Sequence, residues 1–190
     1  MRKIGFFAGS FDPIHDGHIE VAKTAVRDLG LDELCIMVER RPWGVKSPVG
    51  IEDRIAMVDL ATTPYGPIRQ LILEDETFNM DITLPKLEQE FHGCELYFVF
   101  GADVFATMDP YTWRGLDELT VHNLVIFERK KLSKHDIKSH ADTIGVEVDI
   151  LSSVHPHHSS TDVRVNVYDR AIWVPEVVEG YINDNDLYAD

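Results

Sequence analysis

"KIGFFAGSFDPIHDGHIEVA", residues 3–22, runs from an apolar segment through a glycine-led turn into a helical pattern. Residues 3–8 read as a strand, because "KIGFFA" is a short apolar run that ends at a turn signal. From about Gly17 to Leu29, Ile19, Ala22, Val26 and Leu29 recur on one stripe, the spacing of a helix face packed on a sheet.

The alternation continues along the chain. Strand-like runs fall at 33–39, 68–73, 95–100, 123–128 and 146–151, with helix-like stretches between most of them. "IEDRIAMVDLAT" repeats the helical stripe with Ile51, Ile55 and Val58. A further helix runs through "LPKLEQEF", where Pro85 is tolerated only in a first turn, so its start is expected between Asp81 and Thr83. "STDVRVNVYDR" and "VPEVVEGYIN" read as two closing helices, the second opened by Pro175. Strands alternating with helices predict an α/β fold: a doubly wound, Rossmann-like parallel sheet with helices on both faces and a short C-terminal helical segment. With 190 residues, no repeats and no linker composition, residues 1–190 are expected to form a single domain. In such sheets ligands bind beyond the carboxyl ends of the strands, where the winding reverses. The loops at residues 9–15 and 101–103 therefore draw attention first.

Composition narrows the partners. With 18 Lys and Arg against 33 Asp and Glu, the formal charge of −15 opposes attraction to long nucleic acid or an anionic membrane. A small anion remains compatible if a few cations and backbone N–H groups converge on it; Lys46, Arg129 and Arg164 are candidates. No apolar run approaches the roughly 18 residues of a membrane span, and the apolar start is too short for a signal-peptide core. Cys35 and Cys94 sit in separate apolar segments without CxxC spacing. Reduced thiols and a cytoplasmic location are expected.

Gly9 lets the backbone turn tightly after the first strand, and Pro13 stiffens the loop. The first N–H groups of the following helix lack intrahelical partners and carry the positive end of its dipole, which suits an anion. His15 and His18 would bracket that position as hydrogen-bond donors. In the competing structural reading, Asp12 or Asp16 caps the helix and the histidines are solvated.

The block as a whole resembles the nucleotidyltransferase signature GxFDPxHxGH, met by Gly9, Phe11, Asp12, Pro13, His15, Gly17 and His18. The resemblance covers nearly the whole chain and is nearest to the bacterial nicotinate mononucleotide adenylyltransferase family. "SSTDVR" (159–164) is similar to that family's ISSTxIR, "GAD" (101–103) with a downstream tryptophan to its GAD segment, and "VPEVVEGYINDNDLY" to its C-terminal VPxxVxxYIxxxxLY. The family transfers an adenylyl group from ATP, with Mg²⁺, to a pyridine mononucleotide. The resemblance implies that His15 and His18 hold the ATP phosphates with the amides near Gly9, Ser10 and Phe11. Ser160, Thr161 and Arg164 would serve the triphosphate, and Gly101 and Asp103 the adenosine ribose. Trp113 could stack on the pyridine ring or belong to the core, Asp103 could instead cap a helix, and Ser160 and Thr161 could be ordinary caps. Lys46 lies where the family has a Pro-Pro-His-Lys-like run but its neighbours differ. Arg54 matches a family arginine or pairs with a carboxylate such as Glu52.

The match weakens at "TFNMDITL" (77–84), which stands for the family's SYTxDTL with an extra residue after Asp81, so nicotinate and nicotinamide acceptors both stay open. The interval from GAD to the tryptophan is about two residues longer than usual, and Leu116 replaces a second tryptophan. "HPHHSS", with His155, His157 and His158, lacks a Cys framework or an HExxH spacing, and no metal site is assigned. Phosphopantetheine adenylyl transfer or cytidylyl transfer, a nucleotide-sensing module without turnover, and a histidine-metal hydrolase remain the alternatives.

Overall fold

Neighbouring residues on each central strand feed two separate apolar layers. The computed structural model describes residues 1–42, 49–72, 74–111, 113, 115–128, 132–152, 159–165 and 173–189. Six strands, β1 (Lys3–Gly9), β2 (Glu33–Val38), β3 (Ile68–Leu71), β4 (Glu95–Gly101), β5 (Asn123–Phe127) and β6 (Asp149–Leu151), lie in the order β3-β2-β1-β4-β5-β6. Every pairing is parallel. The winding reverses between β1 and β4, where Phe7 stands beside Val99. The doubly wound, Rossmann-like order expected from the alternation is the one found.

Among the described residues the helices are α1 (Asp16–Leu29), α2 (Ile51–Thr62), α3 (Thr83–Glu90), α4 (Ala102–Phe105), α5 (Leu116–Leu119), α6 (Lys134–Ile144), α7 (Ser160–Val165) and α8 (Glu176–Asp184). Phe7, Leu34, Ile36, Val38, Val99 and Val125 meet Ala22, Ala25, Met57, Val58, Val178 and Ile182 on one face. Phe6, Cys35, Met37, Phe98, Phe100 and Ile126 meet Leu84, Leu87, Phe105, Leu119 and Ile137 on the other. Alternation along a strand sends consecutive side chains to opposite faces, so β1 and β2, apolar after Lys3 and Glu33, must be covered twice.

Element boundaries follow identifiable local features; the start of α3 falls within its expected range, and others differ. α3 begins at Thr83, which leaves Pro85 in the first turn, where its missing N–H is harmless. β6 begins at Asp149 rather than Val146, because Gly145 adopts a left-handed conformation (φ 74°) and the Val146 N–H closes α6 on the Ala141 carbonyl at 3.0 Å. α6 itself was not anticipated. It starts in a reciprocal box in which Ser133 Oγ accepts the Asp136 N–H (3.2 Å) and Asp136 accepts the Ser133 N–H (2.8 Å). The expected helix from Ser160 is described as far as Val165; the rest of it lies outside the described residues.

Gly115 shows why one glycine is needed. Its φ is +74°, and a Cβ there would stand 2.7 Å from Met80 Cβ and 2.5 Å from Glu118 Oε2. No helix among the described residues is long and apolar enough to cross a membrane.

Candidate active site

The first loop leaves β1 at Gly9 and enters α1 at His15, at the carboxyl edge of the sheet beside the winding reversal. Gly9 ends the strand as expected and also makes room for a side chain of its own loop. Its Cα faces the Phe11 ring, and a Cβ would lie 3.3 Å from two ring carbons. Phe11, 1% exposed and held at a φ of +47°, packs edge-on to Phe7 (centroids 5.3 Å apart) and to His18 (5.0 Å). The loop is thus shaped by an aromatic plug from its own sequence.

His15 and His18 stack with centroids 3.7 Å apart and planes 21° from parallel. The His15 N–H donates to His18 Nδ1 at 3.3 Å. A neutral imidazole that accepts at Nδ1 carries its proton on Nε2, so this bond fixes the tautomer and leaves Nε2–H as the donor edge. Burial ranks the pair: His15 is 1% exposed and His18 8%.

Neither Asp12 nor Asp16 caps α1; the N-cap is His15 and Asp16 is the first helical residue. The helix-mouth amides are also more occupied than expected. Asp16 N–H reaches the Trp173 carbonyl (2.8 Å), and the His18 and Ile19 amides both reach the His15 carbonyl (2.9 and 3.3 Å). Imidazole N–H groups and loop amides before the helix, rather than the helix mouth itself, are therefore the donors best suited to an incoming anion.

Asp12, 1% exposed, is a junction. Its Oδ1 accepts the Val49 N–H (3.2 Å) and the Tyr188 hydroxyl (2.9 Å). Arg164 Nη1 donates to the Asp12 carbonyl at 2.6 Å and approaches Oδ2 at 3.5 Å, while Nη2 donates to Thr161 Oγ1 at 3.1 Å. The Ser160 hydroxyl donates to the Pro13 carbonyl at 3.0 Å. Thus α7, nearly 150 residues away in sequence, is fastened to the backbone of the first loop. Ser159 caps that turn, its Oγ accepting the Asp162 N–H at 3.1 Å.

Arg54 pairs with no carboxylate of its own helix. Buried at 1% exposure, it donates to the carbonyls of Ser10 (2.8 Å), Glu39 (2.7 Å), Arg40 (3.1 Å) and Val49 (3.1 Å). It joins the first loop to the segments after β2 and before α2. Burial holds its pKa below the usual guanidinium range, opposed by the charge of Asp12. Glu39, just after β2, accepts the Phe78 N–H at 3.0 Å, and burial raises its carboxyl above the usual carboxylate range.

Across the reversal, Gly101 ends β4 and is the N-cap of α4, with Asp103 exposed in that helix's first turn. Asp103 is therefore not the cap, although its charge suits a helix start. Trp113 is half-buried and meets the Phe100 ring edge-on (6.1 Å, 90°), with Phe78 on the same ring at 6.3 Å. Lys46, Arg129, His155, His157 and His158 lie outside the described residues. Among those described, no three His, Cys, Asp or Glu side chains gather as a metal-holding group. Residue patterns alone gave no role to Glu39 or to Tyr188; the latter lay inside the quoted C-terminal segment, which was its only signal.

Comparison with known proteins agrees with this architecture. A family model described as "Cytidylyltransferase-like" matches residues 6–166. A Clostridium perfringens protein named "Probable nicotinate-nucleotide adenylyltransferase" is 33% identical over 201 residues, covering 99% of this chain and 98% of that one. A Neisseria meningitidis protein of the same name is 29% identical over 205 residues, with 99% of each covered. In fold, the chain is similar to a solved structure titled "Plasmodium falciparum nicotinic acid mononucleotide adenylyltransferase complexed with NaAD", with a TM-score of 0.81 at 18% identity over 99% of this chain and 98% of that one. The family match over residues 6–166 and the 33% identity across nearly the full length of a relative establish that the chain belongs to the cytidylyltransferase-like family, alongside proteins named nicotinate-nucleotide adenylyltransferases.

Proposed function

We propose that this chain, acting as a single domain, is a nicotinate-nucleotide adenylyltransferase of pyridine dinucleotide synthesis. A 5′-phosphate oxygen of nicotinate mononucleotide attacks the α-phosphorus of ATP. The new P–O bond forms as the bond to the β-phosphate oxygen breaks, and pyrophosphate leaves. The nucleophile is anionic near neutral pH, so no base and no covalent enzyme intermediate is needed. ATP arrives as its Mg²⁺ complex, in which the metal offsets part of the triphosphate charge.

Positioning is the larger part of the work. Holding both phosphates in line can supply about 7–11 kcal/mol of the barrier, whereas deleting one donor to developing charge costs about 10²–10³ in rate. His18 would donate from Nε2 to the triphosphate, with His15 stacked behind it and the amides of Gly9, Ser10 and Phe11 alongside. Arg164 adds a fixed cation. The Thr161 hydroxyl, accepting from Arg164, keeps its own proton for phosphate, while Ser160 acts by fastening α7 to the loop. Gly101 and Asp103 would meet the ribose, Trp113 would offer its ring to the pyridine, and Lys46 would add charge near the phosphates. The two free thiols, Cys35 and Cys94, suit a reducing cytoplasm.

One observation carries this reading: Arg164 and Ser160 bond to the carbonyls of Asp12 and Pro13, so both phosphate-binding segments share one piece of backbone. Its test is an acceptor panel, with purified protein, ATP and Mg²⁺ incubated with nicotinate mononucleotide, nicotinamide mononucleotide or phosphopantetheine. Pyrophosphate and dinucleotide formed fastest with nicotinate mononucleotide support the proposal. Faster turnover of either other acceptor reassigns the substrate, and no pyrophosphate with any of them refutes the enzyme reading.

A further inference from the structure

The C-terminal segment "YINDNDLY" takes no part in the chemistry outlined above, yet its last tyrosine reaches the middle of the site. α8 ends in a tight reversal: the Leu187 N–H bonds back to the Ile182 carbonyl (3.0 Å) and the Asp186 N–H to that of Asn183 (3.4 Å). This is the pattern of a left-handed helix terminus, for which glycine is the usual residue. Here the left-handed positions belong to Asp186 (φ 49°) and Tyr188 (φ 63°). Side-chain-bearing residues enter this region at a cost that something else must offset.

The reversal returns Tyr188 to the first loop, where its half-buried hydroxyl donates to Asp12 Oδ1 at 2.9 Å. Asp12 in turn holds Arg164 through its carbonyl and carboxylate. Burial and the Asp12 charge push the phenol far above its usual range, so it stays a donor at any working pH. Tyr181, one helical turn before the reversal, makes a comparable bond to Asp53 Oδ1 at 3.0 Å, away from Asp12.

We propose that Tyr188 is a positioning residue for the nucleotide site, orienting the Asp12 carboxylate so that Arg164 and the first loop are held ready for a triphosphate. The assignment rests on the adenylyltransferase reading for the identity of the ligand, not for its geometry. An isolated surface bond of the tail would leave nucleotide affinity untouched; a bond to the loop's buried carboxylate would not.

The test uses the full-length protein and MgATP as the probe. Tyr188→Phe removes only the hydroxyl, and Tyr181→Phe serves as the control. Tyr188→Phe is expected to weaken MgATP binding about fivefold or more and to lower kcat, with a melting temperature lowered no further than that of Tyr181→Phe. Tyr181→Phe should stay within about twofold of the wild type. In an Asp12→Ala background the Tyr188→Phe effect should nearly vanish, since the acceptor of its hydroxyl is gone. Unchanged affinity in Tyr188→Phe, or an equal loss in both backgrounds, overturns the proposal and leaves the adenylyltransferase reading intact. If Asp12→Ala does not fold, the comparison of the two tyrosines decides alone. MgATP binding that depends on Tyr188 without pyrophosphate release would uphold this inference and refute the reaction; no MgATP binding by the wild type refutes both.

Discussion

Replacing Arg54 by methionine keeps much of its apolar stem and removes the guanidinium. Four bonds of 2.7–3.1 Å to the carbonyls of Ser10, Glu39, Arg40 and Val49 are lost together. Charge-assisted bonds of this kind contribute roughly 1.5–3 kcal/mol each, which would sum to roughly 6–12 kcal/mol if independent. They are not independent. Arg40 is exposed, and Ser10, Glu39 and Val49 are half-buried, so water can reach part of the freed carbonyl surface. An overall loss of about 3–5 kcal/mol is expected, a large share of a typical stability of about 5–15 kcal/mol. Arg54→Lys keeps the charge but has three donors on a compact head that cannot span four carbonyls, and should lose about 1–3 kcal/mol. Urea denaturation of wild type and both variants gives the two differences, and kcat/KM for MgATP should fall with them because the first loop loses its brace. A loss under about 1 kcal/mol in Arg54→Met would refute the idea that one buried guanidinium joins these loops.

Three further outcomes follow from particular sites. Gly115→Ala should cost about 2–3 kcal/mol, since strain at φ +74° is joined by contacts with Met80 and Glu118; Gly93→Ala, with φ +78° but open space, should cost about 1 kcal/mol, and equal losses by urea denaturation would contradict the packing argument. Burial pushes the Cys35 thiol up to about 12, so native protein at pH 8 should show Cys94 as its reactive thiol toward Ellman's reagent, with Cys35 reacting only on unfolding; rapid native labelling of Cys35 by peptide mapping would count against this. The Glu39 carboxyl is raised in the folded state, so the unfolded chain binds fewer protons between the unfolded value and the raised one, and its ionisation penalty grows across that window. Glu39→Gln should therefore gain stability relative to wild type as pH rises from about 4 to 7, and a constant difference across that range would be the contrary result.

Much of the fold was legible because buried parallel strands and amphipathic helices write themselves locally. All six strands fell where apolar runs predicted, and the first motif sits at the expected edge of the sheet. α6 was overlooked although Ser133 with Asp136, and Gly145 after the last turn, are its start and stop signals; its alternating polar sequence hid the apolar face of Ile137 and Ala141. α4 and α5, four residues each, are too short for periodicity to register. The site was legible where a motif marks it and opaque where backbone does the bonding. Arg54 matches a family arginine with a carboxylate partner as the alternative, and in the structure it serves carbonyls brought together from three segments, which no side-chain pattern records. In the sequence Asp12 is a possible helix cap; its partners Val49, Arg164 and Tyr188 lie 37, 152 and 176 positions away. Gly9 reads as a tight turn, and the structure adds that its missing side chain leaves room for the Phe11 ring.

The central claim, that the stacked imidazoles and the arginine of α7 grip one nucleoside triphosphate for adenylyl transfer, is tested most directly by steady-state pyrophosphate release in His18→Ala. With saturating MgATP and nicotinate mononucleotide, turnover should fall at least about tenfold while the protein stays folded at the assay temperature. Turnover equal to wild type in that variant would contradict the account.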